Sequence, residues 1–306
     1  MTPHGTIIAV QDDGGLRFVI PAIATPHVRI ETTIAMFRSL LGDLTGVPRL
    51  SEACGWRVLV IQFDDRIHHN IGSVAYCRLR GEAPAVRLVP DTYFFLSRGY
   101  RSLREAAAAK MLSPWEERQD VVFWRGSATN NEVAIDGSRV ERIEQIPRVA
   151  LCRTLRGQPA TDAAISSIWG FNFPAEEQIE YLTKEEIFRP PIVMVQHANY
   201  RYLIDIDGVA SAWGFFEKLL LGACVLKVGS PFEQWYYREL SEWRHFVPVR
   251  ADLSDLLTQI EWCREHPRRA YEIAREGQRF AFEHSFETAR QMTLESIRQS
   301  LLIVSE

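Results

Sequence analysis

The feature that most constrains this chain is a series of short, dense apolar runs separated by stretches with helical spacing. Trp56–Phe63 (WRVLVIQF), Asp120–Trp124 (DVVFW), Tyr202–Ile206 (YLIDI) and Cys224–Val228 (CVLKV) read as strands. Thr32–Leu41, Ser102–Met111 and Pro147–Leu155 read as helices, and Phe215–Leu221 starts another. Alternation of the two periods is the pattern of an α/β fold. Thr6–Val10 and Leu16–Ile20 are further strand-like runs, and Arg87–Leu96 reads as a strand broken by Pro90. Trp169–Pro191 reads as irregular. The C-terminal part is helical: Leu253–Glu265 and Arg268–His284 are separated by Pro267, and Ser285 is suited to cap a last helix through Leu301.

With 306 residues, 46 % of them apolar and 24 % charged, the chain has material for two domains with buried cores. That excludes disordered and fibrous classes. Thirty-five basic residues stand against 39 acidic ones. A protein that lives on nucleic acid draws affinity from a basic excess, which is missing here, whereas one small phosphate ligand needs only a few placed cations. The five cysteines are odd in number and never form C-x-x-C, which speaks against a disulfide framework or a zinc knuckle. No secretory leader is visible and no apolar run approaches the roughly 20 residues of a membrane span, so a cytoplasmic setting is expected.

Three segments carry candidate chemistry. The strand ending in Trp124 runs into Arg125-Gly126-Ser127, a guanidinium able to grip an anion beside a small turn and a hydroxyl. Arg139, Arg142 and Arg148 follow; the first two read as solvated, and Arg148, opening an amphipathic helix, as inward-pointing. Asp205-Ile206-Asp207 has two readings, a carboxylate pair converging on a divalent cation or a capping residue and a turn opener. Gly208 through Gly214 is rich in small residues and precedes a helix. It suits backbone approach to a phosphate, and it equally suits tight strand-to-helix packing. His68-His69-Asn70 has no third ligand at a recognised spacing, and no G-x-S-x-G, P-loop or G-x-G-x-x-G is present.

In order and combination, Trp124-Arg125-Gly126-Ser127, Tyr200 through Ser211, Val225 through Val228, Trp243 through Leu256 and Ala274 through Phe280 resemble the CAP10-like glycosyltransferases, family 90. The likeness runs from about Asp91 to Phe280 and is greatest to the bacterial branch linked to lipopolysaccharide and capsule synthesis. It implies a GT-B-like α/β fold, with two Rossmann-like lobes facing a cleft and C-terminal helices. The lobes would be 1–117 on the acceptor side and 118–284 on the nucleotide-sugar side, with 285–306 a C-terminal helix returning to the first. It also implies inverting, metal-independent transfer from a UDP-sugar to a hydroxyl of a glycan or glycolipid, with no added cofactor and with peripheral contact to the inner membrane surface.

Residue by residue, the family serine that touches the donor falls on Ser127, beside Arg125 and Gly126. The arginine that follows it in the family maps to Arg148 across an insertion. The donor turn maps to Val209, Ala210, Ser211, Ala212, Trp213 and Gly214. The eukaryotic branch ends that turn in a phosphate-binding arginine where this chain has Gly214, leaving Arg125, Arg148 or Lys218 as substitutes. The eukaryotic R-D-Y-P motif, which carries the catalytic aspartate, is also absent, and the aligned place holds Tyr100. A proton acceptor is still needed. Asp91 is the candidate, against the alternative of a turn residue after Pro90, and Asp64 and Asp65 are rivals. Two other classes fit less closely: a non-catalytic relative that binds nucleotide-sugar or glycan, and a different GT-B activity that turns over without acceptor.

Overall fold

The computed structural model describes residues 5–12, 15–20, 28–43, 55–63, 70–129, 132–169 and 173–305. The first third forms β1 (Thr6–Asp12), β2 (Gly15–Val19), α1 (Val28–Asp43), β3 (Gly55–Gln62), β4 (Ser73–Ala75), β5 (Arg78–Leu79), β6 (Val86–Leu88), α2 (Thr92–Leu96) and α3 (Arg101–Ala108). There follow β7 (Gln119–Thr129), α4 (Pro147–Leu155), β8 (Thr161–Trp169), α5 (Ala175–Lys184), β9 (Tyr200–Asp205), α6 (Phe215–Leu220) and β10 (Cys224–Val228). The last third adds β11 (Phe232–Glu233), β12 (Val247–Val249), α7 (Leu256–Glu265), α8 (Pro267–Glu283), α9 (Phe286–Ser300) and β13 (Leu302–Ser305). The α/β class and the C-terminal helices expected from the sequence are both present. The chain packs as two units: Met1–Arg101 with Pro231–Arg238 and His284–Glu306, and Ser102–Ser230 with Glu239–Glu283.

The first unit is built on a sheet of order β2-β1-β3-β4-β6, with β13 also paired to β3. Only β3, β4 and β6 run parallel; β1, β2 and β13 join antiparallel. Helix α9 packs against β3, β4 and β6, and Ile7, Met36, Phe37, Ile61, Val74 and Ile297 are buried. Its cap is the expected one, Ser285 Oγ accepting from the Thr288 amide. The stretch Arg87–Leu96 is not a continuous strand. Pro90 follows the short β6, and Asp91 then starts α2 by accepting the Phe94 N–H at 2.9 Å. Phe94 packs edge-on to Tyr100 and Trp235, and Phe95 to Phe286, so tertiary packing overrides the strand preference of Tyr-Phe-Phe-Leu.

The second unit holds an all-parallel sheet of order β12-β10-β9-β7-β8. Numbered by appearance within the unit, the order is 2-1-3-4-5, and its direction reverses between β7 and β9. In such sheets ligands bind outside the carboxyl ends of the strands flanking that reversal. One face is covered by α4, α5, α7 and α8 through Val149, Leu151, Leu182, Ile260 and Ile273. The other buries Phe123, Ala198, Leu203, Leu221 and Ala223. The expected strand at Asp120–Trp124 extends to Thr129, and the stretch read as irregular contains α5.

Helix α6 is held at its C-terminal end by side chains from distant parts of this unit. Arg118 donates to the carbonyls of Leu221 (2.9 Å), Gly222 (2.8 Å) and Ser113 (2.8 Å), and Gln278 Nε2 donates to Leu220 O at 2.9 Å. Both satisfy carbonyls that a helix end leaves unpaired. Gly277 lies so close to the His245 carbonyl that a Cβ would stand 2.6 Å from its oxygen. The Ala274–Phe280 segment thus has a structural explanation: it lets α8 approach and finish α6.

Candidate nucleotide-sugar site

The carboxyl ends of β7 and β9 bring together the three segments singled out in the sequence. In Trp124-Arg125-Gly126-Ser127, Gly126 lies beneath the Trp124 indole, where a Cβ would come within 2.8 Å of the ring. The register with β8 slips between Gly126 and Ser127, so that Ser127 opposes Ser167 and the two hydroxyls hydrogen-bond. Bulges of this kind re-aim side chains and are common beside active sites. Arg125 does not join Ser127 at this edge. Its guanidinium leans back over Phe123, 5.0 Å from the ring centroid, and Nη2 donates to both Asp162 oxygens at 2.9 and 3.0 Å. Its Nε and Nη1 are buried without a partner among the described residues.

Arg148 stitches the edge together. From the first turn of α4, which begins at Pro147, its Nε donates to Asp207 O (3.0 Å), Nη1 to Ser127 O (3.1 Å) and Nη2 to Ile206 O (3.1 Å). Burial lowers its pKa, while Asp207 and Asp205 nearby oppose the shift. The guanidinium also stacks 5.9 Å above Trp124. A Cβ on Gly208 would collide with Thr129 Oγ1 and stand 3.1 Å from Arg148 Cζ, which accounts for glycine there. Arg139 and Arg142 are exposed, as read from the sequence, with Arg142 paired to Glu144.

Both oxygens of Asp205 and one oxygen of Asp207 are already engaged by the protein. Fully buried Asp205 accepts from Lys218 Nζ at 2.6 Å and from Lys227 Nζ at 2.8 Å. Burial pushes its carboxyl up, but the two ammonium groups outweigh this and hold it below the ordinary value. A divalent cation at Asp205 would have to displace both lysines. Asp207 Oδ1 accepts the Ala212 N–H at 3.0 Å, the turn-opening role. Burial raises its pKa, against the pull of Lys227 and the Ser230 hydroxyl. Lys218, considered as a phosphate contact, is thus the partner of Asp205. The turn Val209, Ala210, Ser211, Ala212, Trp213, Gly214 leads into α6, a helix of six residues, with Ala210, Ser211 and Ala212 buried. Gly214 has ordinary backbone geometry (φ −77°), and a Cβ there would meet nothing closer than Met194 Cε at 3.4 Å.

Asp91 lies in the first unit, 3 % exposed, as the N-cap of α2. Burial drives its pKa from the ordinary 3.8 up to about 6, against backbone N–H donors at Phe94, Tyr93 and Asp91 itself. Tyr100, which stands where the resemblance aligns the R-D-Y-P aspartate, follows Arg98 and Gly99. Arg98, Gly99 and Tyr100 all have left-handed backbone (φ +53°, +71° and +58°), and a Cβ on Gly99 would come within 3.1 Å of Phe286 Cβ. Asp64, Asp65, His68 and His69 lie outside the described residues, as do Asn130 and Asn131.

Sequence reasoning missed Asp162, Ser167 and Lys227. Lys227 interrupts an otherwise apolar strand, Cys224–Val228, and a buried lysine needs a carboxylate partner, so that signal was available. Asp162 and Ser167 sit on β8, a strand not anticipated at all.

The model of the family described as glycosyl transferase family 90 matches residues 97–288. Protein O-glucosyltransferase 2 of Danio rerio is 32 % identical over 177 residues, covering 56 % of this chain and 30 % of that protein. Protein O-glucosyltransferase 1 of Rattus norvegicus is 26 % identical over 174 residues, covering 56 % and 38 %. The chain therefore spans well under half the length of these relatives. Among solved structures, Anabaena HepE in complex with UDP and glucose gives a distant likeness: TM-score 0.45, 11 % identity, 72 % of this chain and 58 % of that one. The family match takes in the Trp124–Ser127 strand end, the Asp205–Gly214 turn and the helix that finishes α6, more than half of the chain, and on that ground the chain belongs to glycosyl transferase family 90.

Proposed function

We propose that this chain is a GT-B-like glycosyltransferase that moves a sugar, with inversion, from a UDP-sugar to a hydroxyl of a glycan or glycolipid such as lipopolysaccharide core or capsule. The observation that carries the reading is the joining of Trp124–Ser127 to the Asp205–Gly214 turn at the reversal of the parallel sheet, with Arg148 bonded to three carbonyls there. Residues 118–284 hold the donor in this reading, and 1–117 the acceptor. The diphosphate is countered by Arg148 and by the surplus charge of two lysines on one carboxylate, and Arg125 supports the strand from Asp162. UDP-sugar is the donor substrate, with no cofactor. No helix among the described residues is long and apolar enough to cross a membrane. The reading places the enzyme in the cytoplasm, in peripheral contact with the inner membrane surface.

In the transfer, the acceptor oxygen attacks the anomeric carbon, the bond to the diphosphate oxygen breaks, and the acceptor proton goes to a base. Asp91 is that base in our reading. A carboxyl with pKa about 6 is ionised at neutral pH and poised to take a proton. The absence of the R-D-Y-P aspartate favours a second reading, a donor-binding relative without transfer activity. Calorimetric titration with UDP-sugars, followed by mass spectrometry of products from a glycolipid acceptor extract, tests both. Binding with transfer supports the first reading, binding without transfer the second, and no binding overturns both.

A further inference from the structure

The Ser127–Ser167 hydroxyl pair lies where β7 and β8 shift register. Ser167 is exposed on the edge strand β8, and it faces Ser127 only because the strands slip register at Gly126. Had the register of Gly126 with Ile165 continued, Ser127 would face Ser166. Two hydroxyls that share one hydrogen bond keep one O–H to donate and lone pairs to accept. A phosphate oxygen accepts only, whereas a vicinal diol both gives and takes. The pair is also uncharged, and Arg148 donates to the Ser127 carbonyl rather than to either hydroxyl. Two residues further along β7, Thr129 Oγ1 is buried without a partner among the described residues, against the bare face of Gly208. The Ser127–Ser167 pair is thus a neutral donor-and-acceptor group at the carboxyl end of β7, suited to polyhydroxyl chemistry.

We propose that Ser167, acting with Ser127, binds a vicinal diol of the donor, so that β8 contributes a specificity contact to the site. This rests on the donor-binding reading above. The diol is either that of the nucleotide ribose or that of the transferred sugar. Titration of the full chain with UDP, 2′-deoxy-UDP and UDP-glucose distinguishes them. Ser167→Ala should weaken binding about two- to tenfold, the worth of one hydrogen bond. With the ribose as ligand, the loss appears with UDP and disappears with 2′-deoxy-UDP; with the sugar, it appears only with UDP-glucose. Ser167→Thr should keep the parent's affinity, and Ser127→Ala with Ser167→Ala should cost more than either change alone, because each hydroxyl makes its own bond to the diol. The melting temperature of Ser167→Ala should stay that of the parent, since the side chain is exposed. Unchanged affinity of Ser167→Ala for both UDP and UDP-glucose overturns the proposal and leaves the donor-binding reading standing. Failure of the unaltered chain to bind either nucleotide overturns both.

Discussion

Asp91 caps a helix and is the base of the proposed transfer, and Asp91→Asn tests both statements together. Asparagine caps a helix about as well as aspartate, so the bond to the Phe94 amide survives the change. What disappears is a buried charge. A rise from 3.8 to about 6 means that the fold prefers the neutral carboxyl by about 3 kcal/mol. Below the unfolded value the group is protonated in both states and contributes nothing. Between there and about 6 the folded chain holds a proton that the unfolded chain has released, so stability falls as pH rises, and above 6 the whole cost is present. Asp91→Asn should therefore stabilise the chain at pH 7.5 by up to about 3 kcal/mol. The gain should shrink to nothing as pH falls from 6 towards 4. Urea unfolding of both chains across that range measures it. In parallel, transfer should fall by about 10²- to 10⁴-fold in kcat with KM little changed, the usual cost of losing a proton acceptor. A variant no more stable than its parent at pH 7.5 would refute the burial argument, and full activity would remove Asp91 as base.

Other consequences are more local. Arg118→Ala should cost about 3 kcal/mol, because it strips donors from the Leu221, Gly222 and Ser113 carbonyls, and urea unfolding of the variant measures the loss. Asp205→Asn should destabilise by about 3–5 kcal/mol by leaving two lysines facing each other, and this loss should fade in acid as the parent aspartate protonates. Dialysis against a chelator should leave transfer unchanged, since both Asp205 oxygens already accept from lysines; a strict metal requirement would show that Lys218 and Lys227 give way to a cation. Gly214→Arg should fold normally, having room for a Cβ and no backbone strain, and should tighten UDP binding about tenfold, the worth of one charge-assisted hydrogen bond, in a calorimetric titration.

Dense apolar strands such as Tyr202–Ile206 were legible because burial on both faces leaves a continuous hydrophobic run. Strand β8 was not, since Thr-Asp-Ala-Ala-Ile-Ser-Ser-Ile-Trp spends its polar positions on Arg125 and Ser127. Helix α2 was misread because Tyr-Phe-Phe-Leu has strand propensity, and only the cap at Asp91 and the aromatic contacts of Phe94 and Phe95 decide otherwise. In the site, Ser127 and Arg148 stood out through their motifs and do meet at one edge. The direction of Arg125 and the pairing of Lys218 depend on residues distant in sequence, Asp162 and Asp205, that spacing does not reveal.

The clamp on α6 also sets an order of assembly. Its carbonyls are satisfied by Arg118, about a hundred residues earlier in the chain, and by Gln278, 58 residues later than the Leu220 it serves. During synthesis the turn leading into this helix can form but cannot be locked until α8 has left the ribosome. The unit that carries the Asp205–Gly214 turn should then mature late, the behaviour expected where closure of long loops precedes the contacts that reward it.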